Sequence, residues 1–558
     1  MRLWLLLAVS LPLAAADTTP FWRTVVMGTR GAVAAEHPLE ARAAIRVLES
    51  GGNAFDAAVA LFYMTGVVEQ HQSGIGGDMF LLAYSAREKQ VVFINGTGPA
   101  PALATAEHYR KLGGIPAEGM LSSTVPGAVG GFDLALKKYG SRQYPELLAA
   151  AIEAAREGHP LTHWAASMHA SAVRKISPFP SSMKALLHDG HPFDPGDLFV
   201  QPGLAHTLDL IAKGGADAFY RGPIAKTIDA FYTRNNGLIR AGDLAAYTPE
   251  QGAPVRTSYK GLDVYQSAPN SQGIVLLLAL NILEGIDLRA LGHNTPAYLH
   301  TVVEAMKLAF ADRDKYVADP KFTRVPSEQL LSKTYATARR KLIGERARPG
   351  AAPFGQPSET SSFSIADRFG NLVSVTHSVN STFGSGVVVE DAGFVLNNRL
   401  PYFSLDENDV NVLRPGKRPR HTINPALALR DGKPYLAWNT PGGDNQPQAM
   451  LQAFLNLEEF GMNPQQAVEA PTVTTTNFHA SNYPQPVGDQ LIVPAGLAEH
   501  VAEALRARGH KLQITPLQHP YTQQPSGAGA VKMLWIHPKT GVFHAGVSPA
   551  KDDYALAY

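Results

Sequence analysis

Between Glu359 and Asn380 the chain places hydroxyl side chains at alternate positions: Thr360, Ser362 and Ser364, then Ser374, Thr376 and Ser378, with Asn380 at the end. The stretch predicts two strands around a five-residue turn, Asp367 to Asn371. Centring that hairpin on Phe369 sets Ala366 opposite Leu372, Ser364 opposite Ser374, Ser362 opposite Thr376 and Thr360 opposite Ser378. Strand side chains alternate between faces, so the hydroxyls and Asn380 share one face. Phe363, Ile365, Val373, Val375, His377 and Val379 share the other. A solvated sheet face commonly carries Ser and Thr. The same register brings Ser378 close enough to Thr360 for one hydroxyl to orient the other. Later, Gly442-Gly443 follows Pro441. Glycines let backbone N–H groups approach a tetrahedral oxyanion with no Cβ in the way, although Pro-Gly-Gly alone reads as a turn.

Helices and strands around these residues are legible in outline. Gly31 to Glu36 predicts a strand, and Pro38 to Ser50 a helix stopped by Gly51-Gly52. Asn53 to Asp56 caps a second helix running to about Val68. Ser73 to Gly77 reads as a tight turn at close backbone packing, before a hairpin of Met79–Tyr84 with Val91–Asn95. Pro126 to about Arg346 is mainly helical, most clearly over Glu304–Tyr316. Arg339 to Pro357 lacks apolar periodicity and reads as a loose connection. Leu451–Phe460 predicts a helix, and Val531–Ile536 with Gly541–Val547 a last hairpin. This order suits an α/β fold in which two stacked, mainly antiparallel sheets lie between two helical layers, a four-layer αββα sandwich.

Composition narrows the function. The 558 residues are 45% hydrophobic and carry 49 Lys plus Arg against 48 Asp plus Glu, a formal charge of +1. Nothing in that balance points to nucleic acid or an anionic membrane as partner. With no cysteine, disulfides, thiolate catalysis and Cys-based metal sites are excluded. His37, His71, His163, His377 and His421 are scattered without metal-ligand spacing, so neither metal nor cofactor is expected. Lys417-Arg418-Pro419-Arg420 is either a solvated loop or a guide for an anionic substrate. Residues 1–16, one Arg before an apolar run and then Ala14-Ala15-Ala16, read as a secretory signal. Export to a periplasm or the cell exterior is the expectation.

The hairpin at Thr360, Ser381 to Gly386, Asn397-Asn398-Arg399-Leu400-Pro401-Tyr402, Arg414 to Pro425 and Thr440 to Asp444 together resemble the small subunit of the γ-glutamyltranspeptidase family. Asn53 to Ala58, Ser73 to Gly77, Val125 to Val129 and Glu304 to Tyr316 resemble its large subunit, so the resemblance spans about Val26 to Tyr558. These are N-terminal-nucleophile hydrolases. The resemblance implies that the precursor cuts itself between Glu359 and Thr360, and that the freed Thr360 attacks an amide with its own α-amine as base. It implies Ser378 as orienting hydroxyl, Gly442 and Gly443 as oxyanion donors, and Asn380, with Thr376 on the same face, at the substrate. Residues 17–359 would form the large subunit and 360–558 the small one, a heterodimer of one chain's two pieces acting on a small amide. An exported binding protein on the same scaffold is the competing reading, which the retained Thr360, Ser378, Asn380 and Gly442-Gly443 oppose.

The clamp for the acyl donor departs from the family. Members hold the donor's α-carboxylate with an Arg and a Ser-Ser pair, and its α-amine with a Gln and an acid. The matching positions here are Thr97, His421-Thr422, Arg399 and Tyr402. An Arg where an ammonium should bind is an electrostatic conflict. A guanidinium grips a carboxylate instead. The expectation is that γ-glutamyl amides are poor substrates and that a glutaryl- or oxamate-type amide is better.

Overall fold

The computed structural model describes residues 23–348, 359–516 and 529–558. The expected signal segment, residues 1–16, and residues 349–358, which precede the expected cut, lie outside them.

Two seven-stranded sheets dominate, and every pairing within them is antiparallel. The hairpin Glu359–Asp367 and Leu372–Asn380 forms the centre of one sheet. Gly31–Ala35 pairs on one side of it and Asp78–Ser85 on the other. The second sheet is centred on Ala426–Arg430 and Lys433–Asn439, flanked by Leu262–Gln266 and Lys532–Ile536.

The alternation read from the hairpin decides what each face meets. Phe363, Ile365, Val373 and Val375 pack beneath the helices Pro38–Glu49, Ala54–Val68 and Ala128–Tyr139. A separate apolar layer between the sheets joins Phe80, Leu82, Ala366 and Leu372 to Leu427, Ala437 and Leu534. The second sheet's outer face packs on Ile274–Leu283, Pro296–Tyr316 and Gln446–Glu458. Helices, sheet, sheet, helices is the four-layer order expected. The hydroxyl face of the hairpin looks into the gap between the sheets, so its oxygens are buried rather than solvated.

Local chemistry sets the ends of these elements. Asn53 and Asp56 close a reciprocal capping box on Ala54–Val68. Gly51 stops the preceding helix at φ 94°. Gly76 and Gly77 admit backbone directly against their Cα atoms. A Cβ on Gly76 would lie 2.0 Å from the Val395 carbonyl oxygen, and one on Gly77 2.5 Å from that of Ser378.

Two expectations are corrected. Residues 341–348 are fastened, not loose: Gly344 accepts from His300 at 2.8 Å, and the Ala347 N–H donates to Arg508 O at 2.7 Å. Just before them Arg339 pairs with the buried Asp312, so its charge serves packing. The basic run at 417–420 is not a solvated loop either. Lys417 donates to the carbonyls of Val410 and Val412, Arg418 pairs with Glu250, and Arg420 lies 3.8 Å from Asp314. All three side chains are buried.

Candidate active site

The hairpin keeps the expected register from Ser361–His377 to Ala366–Leu372, then slips by one residue so that Glu359 meets Asn380. Thr360 sits in that bulge, a device that re-aims a side chain. Its Oγ1 donates to Ser378 Oγ at 3.2 Å, and the Asn380 N–H donates to the same Ser378 oxygen at 2.7 Å. Asn380 adopts φ 89°, a left-handed conformation held by its side chain, which donates to Asn398 O at 2.8 Å.

Asn439 ties the second sheet to this face. Its amide nitrogen donates to Phe363 O, Ser364 Oγ and Ser374 Oγ at 2.8, 2.9 and 2.9 Å. From there the chain turns through Gly442 at φ 114° and Gly443 at φ 56°, both in the region that favours glycine. Gln272 donates to Gly443 O at 3.2 Å and to Thr422 O at 3.0 Å. The fully buried Arg313 holds Gln272 in turn, donating to its Oε1 at 2.8 Å and to Asp444 Oδ1 at 2.5 Å.

Thr97, Arg399, Tyr402, His421 and Thr422 converge beside the hairpin and are buried with it. Arg399 donates to Asn380 Oδ1 at 3.2 Å and lies over the Tyr402 ring at 4.9 Å. Tyr402 and Thr422 share a hydroxyl hydrogen bond of 2.9 Å. The Thr97 carbonyl accepts from Arg418 at 2.8 Å. Burial, aided by Arg399 and Arg418, drives the His421 imidazole well below its usual range, so it is neutral.

Asp78 was missed. It opens the strand that pairs with the hairpin and stands opposite Ser378. One carboxylate oxygen accepts from the Gly98 N–H at 2.8 Å; the other lies 3.6 Å from Arg399 Nε and 3.8 Å from His421 Nε2. Arg399 therefore has an acid beside it, and its charge is not available as a bare cation. The signal was the last residue of Ser73-Gly74-Ile75-Gly76-Gly77-Asp78, an acid beginning an otherwise apolar strand.

A His-x-x-x-Glu pair was also overlooked. His300 and Glu304 lie one turn apart on Pro296–Tyr316 and, with His510, bring ligand-type atoms within 4.8 Å of one another. Their partners occupy them: His300 bonds His510 at 2.9 Å, and Glu304 bonds Lys307 at 2.7 Å. The cluster fastens residues 344–348.

Comparison with known proteins fits this geometry. The family model for Gamma-glutamyltranspeptidase matches residues 41–558. The chain is 36% identical over 533 residues to the Glutathione hydrolase-like YwrD proenzyme of Bacillus subtilis, covering 95% of this chain and 99% of that one. It is 35% identical to the Acylase ACY 1 proenzyme of a Pseudomonas species, with 88% of each covered. A crystal structure of cephalosporin acylase from Bacillus halodurans superposes with a TM-score of 0.88 at 36% identity, over 98% of both chains. The chain belongs to the γ-glutamyltranspeptidase family of self-processing threonine hydrolases and acyltransferases.

Proposed function

We propose that Thr360 is the nucleophile and that the Glu359–Thr360 bond is the one the chain cuts. Residues 17–359 and 360–558 then become the two subunits of one enzyme. The observation that carries this reading is the bulged Thr360 hydroxyl, buried and 3.2 Å from Ser378 on a face where further polar groups converge.

After the cut, the α-amine of Thr360 takes the proton from its own hydroxyl as Oγ1 attacks the carbonyl carbon of an amide substrate. The C=O electron pair moves onto oxygen, where the backbone at Gly442 and Gly443 stabilises the charge. Collapse breaks the C–N bond, the departing nitrogen takes the proton, and an acyl ester remains on Thr360. Water or an amine then accepts the acyl group. Ser378 orients Thr360, while Asn380, Thr376, Arg399, Tyr402, His421, Thr422 and Thr97 line the acyl side. We place the mature enzyme outside the cytoplasm, supported by the apolar segment at residues 3–13. Among the described residues no helix is long and apolar enough to cross a membrane.

The test is direct. Wild-type protein is expected to run as two bands on a denaturing gel and to hydrolyse a chromogenic anilide. Thr360→Ala is expected to run as one band with no turnover. A mutant that still splits at this bond would rule Thr360 out.

A further inference from the structure

The turn that follows Asn380 is built around a lysine from a distant part of the chain. Lys175 lies in the last turn of the helix His163–Ile176, with its side chain half-buried. Its Nζ donates to Ser381 Oγ at 2.8 Å, to Thr382 O at 2.8 Å and to Gly384 O at 2.9 Å. An ammonium has three N–H donors, so all three are used, and all on one turn. That turn needs a support. Asn380, Phe383, Gly384 and Gly386 stand at φ 89°, 55°, 52° and 77°, and left-handed residues persist only where their surroundings hold them. Gly386 also makes room for the lysine: a Cβ there would lie 2.6 Å from Lys175 Cγ.

Hydrogen bonds lead from the turn to Thr360. The Ser381 N–H donates to Asn398 Oδ1 at 3.2 Å, and Asn380 Nδ2 donates to Asn398 O at 2.8 Å. The Asn380 N–H reaches Ser378 Oγ, which holds the Thr360 hydroxyl. We infer that Lys175 is a positioning residue for the reaction at Thr360: its ammonium fixes the 381–384 turn, and through it the Asn380 backbone that holds Ser378. This rests on Thr360 being the nucleophile. Without its proton the amine keeps only two N–H donors and turns a lone pair toward the third acceptor. Burial pushes the Lys175 ammonium down to about 8, with Glu118 opposing the shift and Arg174 adding to it. The turn itself carries no titratable side chain. The support is therefore present below that value and lost as pH rises through it. The α-amine of Thr360 acts in the opposite sense, because it must lose its proton to serve as base. A fall of activity on the alkaline side is the mark of the lysine.

The experiment measures kcat/KM for a chromogenic anilide from about pH 6 to about pH 10, on protein that runs as two bands. Wild type is expected to fall about tenfold above about pH 8. Lys175→Met is expected to be about tenfold below wild type near neutral pH and to show no further alkaline fall. Lys175→Arg keeps its charge throughout; it is expected to be more active than Lys175→Met and to lack the alkaline fall. A flat wild-type profile above about pH 8, or a Lys175→Met enzyme that melts earlier but keeps the wild-type profile, overturns the inference. If Lys175→Met does not process, wild type against Lys175→Arg decides, and the same alkaline fall in both overturns it. A wild-type chain that never splits removes the Thr360 reading itself, and this inference with it.

Discussion

Ser378 holds two neighbours with one oxygen: it accepts from the Thr360 hydroxyl and from the Asn380 N–H. Ser378→Ala removes both bonds without adding bulk. Processing and turnover are expected to slow by roughly ten- to hundred-fold, equivalent to about 1–3 kcal/mol, with the fold intact by circular dichroism. An unchanged rate would show that Thr360 is oriented by something else. Asp78 gives a second prediction at this scale. Burial lifts its carboxyl to about 7, against the pull of Arg399, the Gly98 N–H and Arg418; His421, Tyr220 and Tyr247 complete the groups that feel its charge. As pH falls through 7 the acid gains a proton and no longer balances the charge of Arg399, 3.6 Å away. The relative kcat/KM for a glutaryl over a γ-glutamyl anilide is therefore expected to rise between pH 8 and pH 6; a flat ratio would show that the Asp78 charge does not reach the acyl group. The meeting of the Thr360 and Ser378 hydroxyls was legible because a period of two writes a strand face into the sequence. Asp78 was not, because nothing local says which distant strand a hairpin will pair with. The bulge at Thr360 was hidden too: a one-residue slip leaves the alternation of residue types unchanged.

At the scale of elements, the glycine turn at 442–443 depends on the helix Pro296–Tyr316 through Arg313, Gln272 and Asp444. Burial opposes the charge on Asp314, yet Arg313, with His479 and Arg420, holds its carboxyl well below the usual range. Arg313→Gln leaves Asp314 and Asp444 without their main cation. It is expected to cost about 3–5 kcal/mol of stability and to lower kcat more than it raises KM, read from thermal melts and steady-state kinetics. An unaltered kcat would separate the turn from this network. Gly76→Ala drives a methyl group into the Val395 backbone and is expected to give little soluble, processed protein. Both elements were read as what they are, a strong helix and a closely packed turn. Of the two readings of segment 417–420, the solvated loop fails because charge predicts exposure only when no carboxylate or carbonyl waits inside. Here Asp319, Glu250 and the carbonyls of Val410 and Val412 do.

On the scale of the whole molecule, the four layers were legible because apolar runs and turn residues repeat along the chain in a helix–helix–strand–strand order. The interleaving was not. Strands from before the expected cut flank the hairpin on both sides, Leu262–Gln266 pairs with Ala426–Arg430, and Val26–Gly28 with Phe543–Val547. A buried Lys532 reaches Glu36 across the same divide at 2.5 Å and pairs with Asp553 on its own side at 3.1 Å. The two pieces are therefore expected to elute together on gel filtration at nanomolar concentration; separation there would contradict the shared sheets. The interleaving also makes assembly a single-use event. While the backbone is continuous, every strand finds its neighbours at the high effective concentration of one molecule. Once the bond is gone, unfolded halves must meet by diffusion, each with exposed sheet edges inviting wrong partners. Recovery from denaturant is expected to be independent of protein concentration for the uncut Thr360→Ala chain. For the mature enzyme it should depend on concentration and be poor, so the chemistry that creates the nucleophile also discards the instructions for building it again.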